Sequence, residues 1–312
     1  MNPAFSVIFL TTLSGVGQGL FLALFAIDAG ARFGLLPLPA AGFFIGGSIL
    51  SLAFLVAGLI ASFWHLGHPE RAWRAIACWR TSWLSRECLA LPAFMAMVFF
   101  YGAAHYIASA AAPWLGLVGA VLCIVLFVCT GMIYACIKFL QEWHTPLTIV
   151  NYIVLGCASG FVLATAFAAT AAPQLAAWLG TGAIALTAAG LVVRTAALMR
   201  NARLRHKSTL QSAIGVKHPR IAQLSQGSIG GSFNTREFFH GRARTTLRAI
   251  KWLFLLLAFP VPVTLVYVGL STQSAAVLIA AFAVQYAGLL LERWFFFAQA
   301  NHPQNLYYST VS

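Results

Sequence analysis

A chain of 312 residues that is 61% hydrophobic and only 8% charged, with a mean hydropathy of +0.85, has too little polar surface to cover a soluble globule of its size. Such a composition places it in a membrane. It also removes nucleic acid as a partner for the net charge of +13, because the basic residues gather at the ends of apolar runs, where anionic lipid or a partner protein neutralises them.

Uncharged runs cover residues 33–69, 88–137, 143–193 and 252–291, each well beyond the roughly 20 residues that cross a bilayer. The last three must each fold back once. In chain order the predicted spans are 5–31, 40–64, 87–110, 114–140, 147–170, 175–198, 251–270 and 275–298. The fold-back points are Pro113, Pro173 with Gln174, and the small polar stretch from Gly269 to Ser274. The fold class is therefore an all-α membrane protein, a bundle of eight transmembrane helices forming one domain over 1–312. Spans rich in Ala, Leu and Gly do not fit the alternating polarity of a closed barrel.

The first span begins without a basic leader and closes on Asp28 and Arg32, so it reads as a retained helix rather than a removed signal peptide. Its Gly15-x-Gly17-x-Gly19, like Gly42-x-x-x-Gly46 in the second span, permits close helix approach. With an even number of spans, both termini share a face with every second loop. That face receives 18 of the 19 Lys and Arg residues, and the other receives Arg32 alone. The positive-inside rule predicts that termini and large loop lie in the cytoplasm of a bacterial inner membrane.

Between the second and third spans, residues 65–87 hold six charged residues interleaved with Trp73, Trp79 and Trp83. Pro69 suits a helix start, Glu70 its first turn, and Trp73, Ile76, Ala77 and Arg80 follow at helical spacing, which predicts a short interfacial helix. The tryptophans of this region, with Trp64, read as membrane anchors. Glu87 opens the third span in a chain with only five other acids, and an ionisable group at membrane depth points to function. His65 ends the second span on the same face. Imidazole and carboxylate together can exchange protons with a quinone, so His65 and Glu87 are the candidate catalytic pair, and Arg80, Ser85 and Arg86 complete the candidate quinone site.

The stretch 200–250 is a long basic loop that keeps Ile and Phe in a Gly-rich frame, which favours a docking surface, with Lys217, His218, Asn234, Arg236 and His240 as its contact residues. A phosphate-cradling reading of Gly227-x-x-Gly230-Gly231 lacks the preceding strand. Cys78, Cys88, Cys123, Cys129, Cys136 and Cys157 show no Cys-x-x-Cys pairing, which argues against iron–sulfur or zinc ligation. His65 and His144 share a face and His105 lies opposite, with no spacing that singles out haem ligands. A transporter would carry ionisable groups in mid-span, and these spans look nearly charge-free. A purely structural anchor is the third alternative.

Three motifs carry a resemblance: His65-Leu-Gly-His-Pro-Glu-Arg-Ala-Trp-Arg, Trp79-Arg-Thr-Ser-Trp-Leu-Ser-Arg-Glu87, and Gly230-Gly-Ser-Phe-Asn-Thr-Arg-Glu-Phe-Phe-His-Gly241. They resemble the membrane-anchor, quinol-oxidising subunits of the dimethyl sulfoxide reductase family of molybdopterin oxidoreductases. The likeness covers essentially the whole chain, including Leu210-Gln211 and Lys217-His218-Pro219. It implies a haem-free anchor for a molybdopterin catalytic subunit and a four-cluster iron–sulfur subunit, oxidising menaquinol in anaerobic respiration. It also implies roles in quinol binding for His65 and Glu87. Relatives of the family run in the opposite direction, from a substrate such as sulfite into a menaquinone or ubiquinone pool.

Overall fold

The computed structural model describes residues 1–64, 66–205, 207–221 and 237–307, and every regular element among them is helical. The helices are α1 (Phe5–Arg32), α2 (Ala41–Phe63), a 3-10 helix (Pro69–Cys78), α3 (Trp83–Tyr106), α4 (Ala112–Ala135), α5 (Pro146–Ala171), α6 (Pro173–Ala202), a short α7 (Leu210–Ile214), α8 (Arg244–Ala258), α9 (Pro260–Ser271), α10 (Ala275–Gln299) and a terminal turn, α11 (Gln304–Tyr307). With α8 and α9 counted as one crossing, eight helices among the described residues are long and apolar enough to span a membrane. The chain is a multi-pass membrane protein. The expected fold-backs hold: Pro113 and Pro173 sit in the first turns of α4 and α6, and Gln273 turns the chain with a positive φ of 51°.

Three boundaries differ from the sequence reading. Helix α3 starts at Trp83 because the Ser82 side chain accepts from the Ser85 amide at 3.4 Å, so Glu87 lies one turn inside the helix instead of opening it. Helix α4 stops at Ala135, and residues 136–145 make successive turns up to the Thr145 cap of α5. The seventh crossing is broken at Phe259 (φ −125°, ψ −78°), where Pro260 cannot donate to the helix ladder. Gln285 Nε2 donates to the Ala258 carbonyl at 3.4 Å beside this break, which spares one backbone acceptor in the apolar layer.

Helix α1 runs through the middle of the bundle, against α2, α4, α5 and α10. Its contact with α5 is backbone to backbone: a Cβ on Gly19 would strike the Gly156 carbonyl, and one on Gly160 would strike the Gly19 backbone. Gly15-x-x-x-Gly19 thus meets Gly156-x-x-x-Gly160, which gives the glycines their purpose: without them neither axis could come this close. Gly42 has open space around it and Gly46 faces only the Phe167 ring, so that pair serves no such crossing.

Two polar regions interrupt the core, one towards each membrane face. Near the C-terminal end of α1, Asp28 is buried at 1% exposure and receives Arg32 Nε at 2.9 Å and the Tyr101 hydroxyl at 3.4 Å. His105 Nε2 lies 3.6 Å from the same carboxylate, with its ring stacked on Phe44. The other region surrounds Glu87. Between them α1 and α3 bury Leu20, Phe21, Leu24, Phe94 and Val98, and α2 buries the hydroxyls of Ser48 and Ser51 against Gly102 and Gly17.

Candidate functional site

The segment after α2 folds back as the expected interfacial helix, although in 3-10 form. Ala72 and Ala75 face inward, while Trp73, Ile76 and Trp79 are exposed. The aromatic rings carry neighbouring guanidiniums, Arg74 over Trp73 at 5.5 Å and Arg80 over Trp79 at 5.3 Å. An apolar edge with a cationic rim is suited to the headgroup level of a bilayer.

Under this helix lies a cavity of about 250 Å³ between α2 and α3. Its wall includes Leu59, Phe63, Ala72, Ala75, Leu84 and Pro92. Phe63 and Leu84 are 44% and 52% exposed on the outer surface of the bundle, so the cavity opens where acyl chains would lie. Pro92 withholds a backbone N–H from α3 at this wall. Just below the roughly 300–1,000 Å³ of small-molecule pockets, this volume suits a single ring with its tail left in lipid. Glu87 is the one carboxylate among the lining residues.

Glu87 also belongs to a second, inner cavity of about 20 Å³, enclosed by α1, α3, α4, α5 and α10. The two cavities share Leu10, Glu87 and Leu91. The inner wall is the more polar of the two, with Thr12, Ser14, Gln18, Thr130, Tyr152 and Arg293. Thr130 Oγ1 donates to Glu87 Oε1, and Gln18 Nε2 donates to the Cys123 carbonyl at 3.1 Å. The carboxylate therefore stands at a partition, with a lipid-open apolar chamber on one side and a water-sized polar one on the other. A group so placed can pass protons between them.

The other expected site residues are placed differently. His65 lies outside the described residues, while the adjoining Leu66 lines the larger cavity. Arg80, Ser85 and Arg86 line neither cavity. Ser85 is buried, and Arg80 is exposed. Arg86 stacks on Trp83 at 4.2 Å and donates to the Trp79 carbonyl at 3.0 Å and the Arg80 carbonyl at 2.8 Å, so it clamps the interfacial helix to α3. Its guanidinium is thus occupied by backbone carbonyls at the rim of the site.

In the basic loop, Lys217 and His218 are exposed, and Asn234 and Arg236 lie outside the described residues. His240 departs from its expected role as a surface contact, because it is only 9% exposed and packs near Trp294. Residues 237–240 are tied down from two sides: Asn2 N donates to the Glu237 carbonyl at 2.8 Å, and Asn305 Nδ2 donates to the Phe238 carbonyl at 2.7 Å. Burial, with the nearby amino terminus and Arg242 adding to it, holds the His240 imidazole below its ordinary 6.5. His302, stacked on Phe238 at 3.8 Å, is lowered by burial and by the amino terminus. The released segment would bind protons first as pH falls, so the attachment is complete above 6.5 and lost as the pH drops through the depressed values. The hydrogen-exchange protection factor at 237–240 should fall at acidic pH, and His240→Gln should flatten that response.

Sequence reasoning missed Arg194, Glu292 and Arg293. It counted both arginines with the basic face and described the span interiors as nearly free of charge, whereas the structure buries Arg194 at 2%, Glu292 at 0% and Arg293 at 4%. The signal was present: all three fall inside the predicted spans 175–198 and 275–298, where an ionisable residue marks function by default. Tyr152 and Thr130 carried no such signal, since hydroxyls are common in spans.

The family model described as DMSO reductase anchor subunit (DmsC) matches residues 1–308. The chain is 54% identical over a 327-residue alignment, covering the whole of both sequences, to a sulfite dehydrogenase subunit of Allochromatium vinosum.

Proposed function

Since this chain belongs to the DMSO reductase anchor subunit family, we propose that its lipid-open cavity binds a quinone headgroup and exchanges two electrons and two protons with it. Membership makes the chain a membrane anchor that associates with a catalytic molybdoenzyme subunit. The observation that carries the proposal is the position of Glu87, the only carboxylate in the wall of an apolar chamber open to the bilayer. In this reading Glu87 moves a proton to or from one quinone oxygen, and His65, adjacent in sequence to the cavity-lining Leu66, serves the other.

For the direction of flow, full-length likeness to a sulfite dehydrogenase subunit favours electrons entering the quinone pool. The balance is closed if the catalytic partner converts sulfite and water to sulfate, releasing two electrons and two protons, and quinone takes up two electrons and two protons at this chain. A four-cluster iron–sulfur subunit is proposed as the conductor between them. The second reading, favoured by the family description, runs in reverse, from menaquinol to dimethyl sulfoxide in anaerobic respiration. Membranes holding the complete complex should reduce decylubiquinone when given sulfite and should not oxidise menadiol when given dimethyl sulfoxide. The opposite pair of results would establish the reverse reading, and neither activity would defeat both.

We place the termini and the 200–250 loop on the cytoplasmic side of a bacterial inner membrane. Supporting this is the basic bias, which survives removal of buried Arg194 and Arg293 from the count.

A further inference from the structure

Arg194 on α6 and Arg293 on α10 both engage Glu292, with Arg194 Nε 2.7 Å from Oε1 and Arg293 Nη1 3.3 Å from Oε2. All three are almost completely buried. Two guanidiniums against one carboxylate leave one positive charge in surplus, and burying it without a counter-charge would cost several kcal/mol. The surplus is on the side of the inner cavity. Arg293 lines that cavity and lies over the Tyr152 ring at 3.8 Å, whereas Arg194 lies over Phe254 at 5.5 Å.

Glu87 is the one acid in the same cavity wall. The groups that α1 contributes there are the hydroxyls of Thr11, Thr12 and Ser14 and the Gln18 amide, none of them charged. Helix α4 adds Thr130, and α5 adds Tyr152 and Ser159. Ser14 Oγ and Arg293 Nη1 are buried without a hydrogen-bond partner, Nη1 having only the looser ion pair with Glu292, and the Tyr152 hydroxyl lines the same space. Two such atoms, with the Glu87 carboxylate and the Tyr152 hydroxyl, around a space of about 20 Å³ are the surroundings that a single buried water requires.

We propose that Arg293 is the counter-charge of Glu87, coupled to it through a water in the inner cavity, and so a positioning residue for proton exchange in the outer one. This rests on the quinone reading above. In either direction of flow, negative charge collects beside Glu87 between the movement of an electron and that of a proton. A fixed cation behind the carboxylate steadies that charge without touching the quinone. The surplus also explains why the ion cluster has three members. Removal of Arg293 leaves Arg194 and Glu292 as a neutral pair.

The test uses the complete complex in membranes. Arg293→Gln should lower kcat for sulfite-driven decylubiquinone reduction by about 10²-fold with little change in KM, and Arg293→Lys should restore most of it. Heat stability should show coupling: Glu87→Gln combined with Arg293→Gln should be more stable than Arg293→Gln alone, because neither charge is then stranded. If Arg293→Gln fails to assemble, recovery in the double variant supports the pairing, and failure of both the double variant and Arg293→Lys overturns it. Wild-type kcat in Arg293→Gln, or strictly additive stabilities, likewise overturns it. An inactive Glu87→Gln without coupling removes the pairing and keeps the quinone reading; coupling with a fully active Glu87→Gln does the reverse.

Discussion

Glu87→Gln is expected to depress quinone-linked turnover by about 10²–10⁴-fold, the usual share of a positioned proton carrier, while the complex still assembles. Gln matches Glu in volume, and its amide oxygen still accepts from Thr130 Oγ1, the hydrogen bond that anchors the carboxylate to α4. The larger cavity keeps its shape, and a bound quinone loses only the group able to give or take a proton at this wall. Oxidation of sulfite with ferricyanide, which draws electrons from the catalytic subunits directly, should proceed at the wild-type rate. Normal decylubiquinone reduction by Glu87→Gln would take the carboxylate out of the reaction. His65→Ala is the companion substitution, and the same two assays read it.

Gly160→Val should be the most damaging change in the membrane core. Its added carbons would enter the backbone of α1 at Gly19 and Leu20, and a backbone, unlike the end of a flexible side chain, cannot step aside. Separating α1 from α5 would open the centre of the bundle, at a cost of about 3 kcal/mol or more, the upper end of over-packing penalties. The expected result is loss of folded protein from membranes, read by the fraction recovered in mild detergent. Gly42→Val, at a site with open space around it, should be recovered at wild-type levels, and equal loss from both would dismiss the crossing as the cause.

Much of this architecture was legible because crossing a bilayer demands length and apolarity, and uncharged runs display both directly. Turns were equally plain where proline or small polar residues bisect a run. The break at Phe259 was hidden because Pro260 lies deep inside an unbroken apolar stretch, and only the observed φ and ψ show that the helix stops and restarts. Glu87 stood out as a rare acid, but its depth depended on the Ser82 cap, which a composition window does not resolve. Arg293 escaped because a charge near the end of a span reads as a loop residue when counted by face. Its burial is set by the packing of α10 on α5, a contact made far apart in the chain. The partners of Arg86 were hidden for the opposite reason: nearness in sequence to Glu87 says nothing of the carbonyls that hold its guanidinium.

Neither α1 nor α3 places an acid or a base between the chamber at Glu87 and the Asp28 cluster, where Leu20, Phe21, Leu24, Phe94 and Val98 are fully buried. On the quinone reading, the hydrogen ions that serve the carboxylate are expected to come from, and return to, the compartment on its own side. If the electrons cross at that face too, each turnover is expected to be electrically silent, the complex exchanging electrons with the proposed quinone without itself charging the membrane.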